Sequence, residues 1–140
     1  IDRGTEVLGD PAYREKLLPI TGEIAENIYN TAYKNHSLMN ECERGVDDTT
    51  RVWWVQAEAV VGFLNAWQKK PEETKYLDAA KDIWGYIKEY VIDKREGSEW
   101  FWCVNADGSP IHEPIVEPWK CPYHNGRMCM EVIRRLSTQQ

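Results

Sequence analysis

The sequence lacks the loops that seat phosphates and the elbows that expose nucleophiles. It holds no G-x-G-x-x-G, no Walker loop, no H-E-x-x-H and no serine in a triad context. Its four cysteines, Cys42, Cys103, Cys121 and Cys129, form no C-x-x-C, and Cys121 with His124 and Cys129 matches neither a zinc ribbon nor a zinc finger. No metal and no other cofactor is therefore expected, and free thiols in a reducing cytoplasm are the expected state. No apolar run reaches the ~20 residues that a membrane helix needs. Positive charge is in short supply: the net charge is −6, and no basic stripe exists to release counterions. That argues against nucleic acid or an anionic membrane as partner. Phenylalanine is scarce too, at two, against seven Trp and seven Tyr. Rings with a polar edge suit sugar sites and interfaces, or else a Trp-rich core. A hydrophobic fraction of 42% over 140 residues is enough for one domain with a real core.

What is present concentrates in residues 117–127, Glu-Pro-Trp-Lys-Cys-Pro-Tyr-His-Asn-Gly-Arg. Pro118 and Pro122 each fix their own φ and push the preceding residue towards extended backbone. The segment reads as a stiff approach to a helix that starts near His124. Backbone N–H groups at a helix start disfavour a protonated imidazole, and a neutral, rigidly held imidazole beside a flat ring suits proton abstraction from a sugar. The competing reading has His124 capping the helix and Trp119 filling the core. Arg127 either clamps an anionic oxygen or pairs with Glu131 one turn on.

Taken in order, residues 1–8 read as a helix. Asp10 is placed to cap the next one with Pro11 at its first position, and that helix reaches about Tyr33. Leu17, Leu18, Ile24, Ala25, Ile28 and Tyr29 follow helical spacing, while Pro19 and Gly22 predict a kink or break. Residues 37–42 form a short strand before a polar turn at Gly45, and Thr49 or Thr50 caps the helix of residues 52–68. That helix is apolar on nearly every side, so it lies inside an assembly. Gln56 and Glu58 are its only polar side chains before Asn65. Trp54 and Glu58, four apart, share one face. A carboxylate there is either functional or at the rim of the bundle.

Residues 76–91 form an amphipathic helix, with Leu77, Ala80, Ile83, Trp84, Ile87 and Val91 on one side. With the preceding helix it makes the inner and outer members of a helical hairpin. Residues 99–104 alternate as a strand, residues 105–108 turn a small β-hairpin, and residues 109–118 link to the last helix, 125–136. Met128, Val132, Ile133 and Leu136 are expected to face inward. His36 and His112 fall in polar segments and read as solvated. The chain opens at Ile1 inside a helical pattern and closes on Ser-Thr-Gln-Gln directly after another, and is expected to be a piece of a longer protein.

Two stretches carry a resemblance. Arg-Val-Trp-Trp-Val-Gln-Ala-Glu-Ala-Val-Val-Gly-Phe-Leu-Asn-Ala-Trp at 51–67 and Trp-Lys-Cys-Pro-Tyr-His-Asn-Gly-Arg-Met-Cys-Met-Glu-Val-Ile-Arg-Arg at 119–135 resemble the C-terminal part of the N-acylglucosamine 2-epimerase superfamily, above all its cellobiose-acting branch. Glu-Trp-Phe-Trp-Cys at 99–103 matches the short hairpin of that family. The resemblance implies a mainly α fold, with residues 1–140 forming a single partial domain, the C-terminal part of an α/α barrel of six helical hairpins with a small β-hairpin. It implies an enzyme that inverts C2 of a reducing-end glucose without metal or nucleotide, through an enediolate, by histidine acid and base. His124 matches one histidine of the pair. Trp54 and Trp119 match the aromatics that hold the sugar, Glu58 matches the carboxylate that hydrogen-bonds it, and Trp53 and Arg127 stand beside them as further contacts.

The substrate implied is cellobiose, with lactose and mannobiose as further disaccharides. The family's other histidine, in a His-x-x-Glu motif, and its N-terminal arginine, tyrosine and asparagine ligands have no counterpart in these residues. The implied partner is thus the N-terminal part of the same barrel, and the piece alone is expected to be inactive. The alternatives are an N-acylglucosamine 2-epimerase or aldose–ketose isomerase on the same barrel, and a non-catalytic helical sugar-binding module.

Overall fold

Gly9, Asp10 and Pro11 divide the first two helices. Helix α1 (Asp2–Leu8) ends where Gly9 turns left-handed at φ 71°, its N–H bonding the Thr5 carbonyl at 3.1 Å. The Asp10 carboxylate then accepts from the Ala12 N–H at 2.9 Å, and Pro11 opens α2 (Pro11–Thr31). The computed structural model describes residues 1–137; the Thr-Gln-Gln that completes the closing Ser-Thr-Gln-Gln lies outside the described residues.

Of the kink or break expected at Pro19 and Gly22, the break does not occur, since α2 runs through both. It is held on either side of them, by its cap and by Ala25, Ile28 and Tyr29 packed on the core, so one missing N–H is absorbed. Leu18 and Ile24 of the same helix are exposed. The buried Asp2 joins three helices, accepting from Thr21 at 2.9 Å and Asn65 at 2.5 Å, with Lys69 at 3.6 Å.

The single strand expected over residues 37–42 is split between two hairpins. β1 (Tyr33–Lys34) pairs with β2 (Ser37–Leu38), and β3 (Glu41–Glu43) with β4 (Val46–Asp48), both antiparallel. Both two-residue turns have positive φ, at Asn35–His36 (52°, 65°) and Arg44–Gly45 (51°, 80°), as the twist of such hairpins demands. A three-stranded sheet follows, with β5 (Arg51–Val52) on β6 (Cys103–Val104) and β6 on β7 (Pro110–Ile111). Residues 109–118 are therefore not all linker.

This sheet overturns the expected cap of the next helix. Thr50 spends its hydroxyl on Asp48 at 2.8 Å, Val52 occupies the cap position without a side-chain bond, and the Trp53 N–H is met by the Trp102 carbonyl at 3.0 Å. A neighbouring strand thus does what a threonine cap does elsewhere. Helix α3 (Trp53–Lys69) buries Trp53, Val55, Ala57, Val60, Phe63 and Leu64, among others. It packs chiefly on α4 (Lys75–Tyr86), which continues as a π-helical turn, Ile87–Val91. The expected inner and outer helices are these two. Buried Gln56 brackets Leu38 of β2, accepting from its N–H at 2.9 Å and donating to its carbonyl at 2.8 Å.

The last helix, α5 (Tyr123–Ser137), packs on α3 through Met128 and Val132. Ile133 and Leu136 face outward, at 66% and 45% exposed, against expectation. Arg135 decides the roll of the helix by reaching Gln68 at 2.7 Å and Asn65 at 3.1 Å on α3. Ile133 lies about 140° round from Met128 and cannot share that face. The chain is thus mainly helical with small β-hairpins. All four cysteines are free thiols. No helix among the described residues is long and apolar enough to cross a membrane.

Candidate functional site

α3 and α5 meet at Glu58 and His124. Four residues after Trp54, Glu58 leaves the apolar face of α3 towards the first turn of α5, where His124 is the second residue. Its two oxygens have separate partners. Oε1 lies 2.8 Å from His124 Nδ1, and Oε2 accepts from Arg127 Nη2. Arg127 is one turn beyond His124, so a single carboxylate grips both ends of that turn. Arg127 does not pair with Glu131, which is taken instead by Arg134 and Arg135.

The protonation of the group follows from this arrangement. Burial pushes the Glu58 carboxyl up, but hydrogen bonds from Arg127 and His124 outweigh it and hold the group below its ordinary range. The same contact raises the Arg127 guanidinium. An ionised carboxylate only accepts, so in the neutral imidazole Nδ1 carries the hydrogen and Nε2 keeps the basic lone pair. No protein group among those described hydrogen-bonds Nε2.

Aromatic rings hold the imidazole on three sides. Trp53, 1% exposed, meets it edge-on with centroids 5.4 Å apart; Trp54 is tilted at 5.7 Å, and Tyr123 stands edge-on at 5.1 Å. Trp53 is the floor and Trp54, 43% exposed, presents ring surface to solvent. An open cavity of about 460 Å³ runs along α3, with Trp54, Glu58, Arg127, Ile24, Ile28 and Gly62 on its wall. His124 is not on that wall; it stands beside Trp54 and Glu58, where the cavity meets α5.

The structure therefore brings together Trp53, Trp54, Glu58, His124 and Arg127, and leaves Trp119 apart. Trp119 is 85% exposed on the tight turn closed by backbone bonds between Glu117 and Lys120, so it does not fill the core. His36 is exposed and bonds Asp82 at 2.9 Å, while exposed His112 sets its edge against Phe101. Sequence reasoning gave no site role to Tyr123 beside the imidazole, nor to Glu99, Lys120 and Asn125 behind it. The one available signal was an isolated lysine inside a rigid aromatic and proline segment.

Known proteins share this arrangement of chain. The sequence is 52% identical over 136 residues to a cellobiose 2-epimerase of Ruminococcus albus, covering 96% of this chain and 35% of that protein. It is 48% identical over 128 residues to a cellobiose 2-epimerase of Eubacterium cellulosolvens, covering 91% and 31%. The crystal structure of a sugar epimerase from a ruminal bacterium superposes with a TM-score of 0.93 at 51% identity, over 96% of this chain and 34% of that one. The chain thus spans about a third of the length of the relatives it matches. Residues 9–127 match the model of one family, and the chain belongs to it: the N-acylglucosamine 2-epimerase (GlcNAc 2-epimerase) family.

Proposed function

We propose that this chain supplies one wall of an active site that inverts C2 of the reducing-end glucose of a cellobiose-type disaccharide, giving mannose. The site sits in the C-terminal part of an α/α barrel of six helical hairpins. The observation that carries the reading is the contact of His124 Nδ1 with Glu58 Oε1 at 2.8 Å, with Glu58 itself held by Arg127. It turns Nδ1 to the carboxylate and leaves Nε2, which carries the lone pair whenever the ring is neutral, oriented beside exposed indole surface.

A proton α to a carbonyl is weakly acidic, so its removal needs an oriented base and donors for the enediolate oxygens. Once the sugar ring is open, His124 Nε2 exchanges a proton with C2 on one face of the planar enediolate. A second acid–base group, outside these residues, serves the opposite face. Trp54 and Trp119 hold the sugar by their faces, and Trp53 supports the imidazole from below. Glu58 orients His124 and offers its remaining lone pairs to a sugar hydroxyl. Arg127 keeps Glu58 ionised. The names of the relatives supply the substrate class, cellobiose.

The test is a chimera in which residues 1–137 replace the matching third of the Ruminococcus albus cellobiose 2-epimerase. It is expected to convert cellobiose into the disaccharide ending in mannose. His124→Asn is expected to lower turnover at least ~10²-fold while cellobiose still binds, and Trp54→Ala to weaken binding. Full activity in the His124→Asn chimera sinks the catalytic role. The 140-residue chain alone is expected to be inactive, because inversion needs groups on both faces, and turnover by it would refute the half-site.

A further inference from the structure

Between Ile111 and His124 the chain is exposed at every residue except half-buried Glu117 and Lys120, which is 0% exposed. Lys120 is therefore the sole interior anchor of the loop that carries Trp119 and leads to His124. Its ammonium is enclosed on three sides, bonding the Glu99 carboxylate, the Ile115 carbonyl at 2.8 Å, and the face of Trp53 at 5.4 Å from the ring centroid. The Ile115 contact folds the loop back on itself. The other oxygen of Glu99 accepts from the amide of Asn125, the residue after His124.

Glu99 is itself fixed to the frame of the fold. Its carbonyl accepts from the Asp93 N–H at 2.9 Å, and the next residue, Trp100, bridges Ile92. One carboxylate thus holds the loop through Lys120 and the first turn of α5 through Asn125. Trp53, which Lys120 underlies, is the ring against which the imidazole stands edge-on. A buried ammonium has to keep its partner, so the loop cannot leave this seat without exposing or unpairing the charge.

We propose that the Glu99–Lys120 ion pair is a positioning device for the reaction, setting His124 and Trp119 in place relative to α3. This rests on the epimerase reading above. Neither residue reaches the cavity; both act through the residues they hold. A displacement of about 1 Å at a base costs on the order of 10²-fold in rate.

The experiment compares Glu99→Gln, Lys120→Met and the double variant in the same chimera, following kcat and KM for cellobiose, the melting temperature, and amide hydrogen exchange across residues 119–127. Each single variant is expected to lose about 10²-fold in kcat, with a smaller change in KM, and to melt earlier because a buried charge or its partner is left alone. The double variant exchanges the ion pair for a neutral one, so its melting temperature returns while kcat stays low and exchange stays fast. Recovery of kcat together with the melting temperature overturns the proposal, since the pair would then serve stability alone. Unchanged exchange in all three variants overturns it as well, and that measurement holds even if the parent chimera turns over no cellobiose. Failure of the parent, or full activity of His124→Asn, refutes the epimerase reading instead.

Discussion

His124 Nδ1 and Glu58 Oε1 stand 2.8 Å apart although 66 positions separate them in the chain. The contact crosses from the first turn of α5 to the second turn of α3, and it determines which nitrogen of the neutral ring is basic. Because Arg127 holds the carboxylate ionised, the hydrogen belongs on Nδ1.

Glu58→Gln in the chimera tests this directly. A carboxamide can donate as well as accept, so the ring is released from one tautomer and Arg127 loses its counter-charge. Turnover is expected to fall about 10²-fold or more, as for other residues that orient an imidazole. Nitrogen NMR of the neutral form of the imidazole is expected to show the hydrogen on Nδ1 in the parent and mixed tautomers in the variant. An unchanged tautomer together with unchanged kcat contradicts the assignment.

Gln56 tests the packing beneath the site. Its amide satisfies both backbone groups of Leu38 from within α3. Gln56→Leu keeps the volume and strands one donor and one acceptor in the core. At about 1–3 kcal/mol for each unsatisfied buried group, the expected loss is roughly 2–6 kcal/mol, read from urea denaturation.

Two glycines of equal handedness are expected to respond unequally. Gly108 at φ 85° leaves no room for a methyl group, whose Cβ would lie 2.4 Å from the ring of Tyr90, whereas Gly45 at φ 80° faces open space. Gly45→Ala carries only the left-handed backbone cost of about 1–2 kcal/mol. Gly108→Ala adds a clash with a ring held by the π-helical turn, and its loss on denaturation is expected to be clearly the larger.

Glu26 gives a dependence on pH. Hydrogen bonds from Lys75 and Tyr76 of α4, each at 2.5 Å, and from Asn30 hold its carboxyl at about 2, below the 4.5 of a free side chain. A depressed pKa in the folded state contributes stability that is complete above the unfolded value and disappears as pH falls through the folded one. The difference in denaturation midpoint between parent and Glu26→Gln is thus expected to be largest near neutrality and to shrink between about pH 5 and pH 2. A difference that does not vary with pH contradicts the link between α2 and α4.

Local chemistry was enough to write down most of the elements. Asp10 and Pro11 have the chemistry of a helix cap and first position, Gly45 and Asn105–Gly108 turn the chain, and the period of residues 76–91 names one buried face. The all-round apolarity of residues 52–68 states that α3 lies inside, and the two prolines before His124 state that a helix begins there. Trp54 and Glu58 on one face follow from a separation of four. What the sequence alone could not determine is which groups complete one another across the fold. Arg127 had Glu131 within reach on its own helix, yet chose Glu58 on another, because packing of α5 on α3 brings that carboxylate closer and shields it. Thr49 and Thr50 had the form of a cap, but the strand pairing of Arg51–Val52 with Cys103–Val104 placed the Trp102 carbonyl there first. Lys120 carried no expectation of its own, and Trp119 read as core or cradle. A pairing 21 residues away in sequence, to Glu99, buried the lysine and turned the indole outward. Periodicity reports how a segment is oriented against an average interior. The identity of each partner is set by the roll and crossing of helices, which depend on every contact at once.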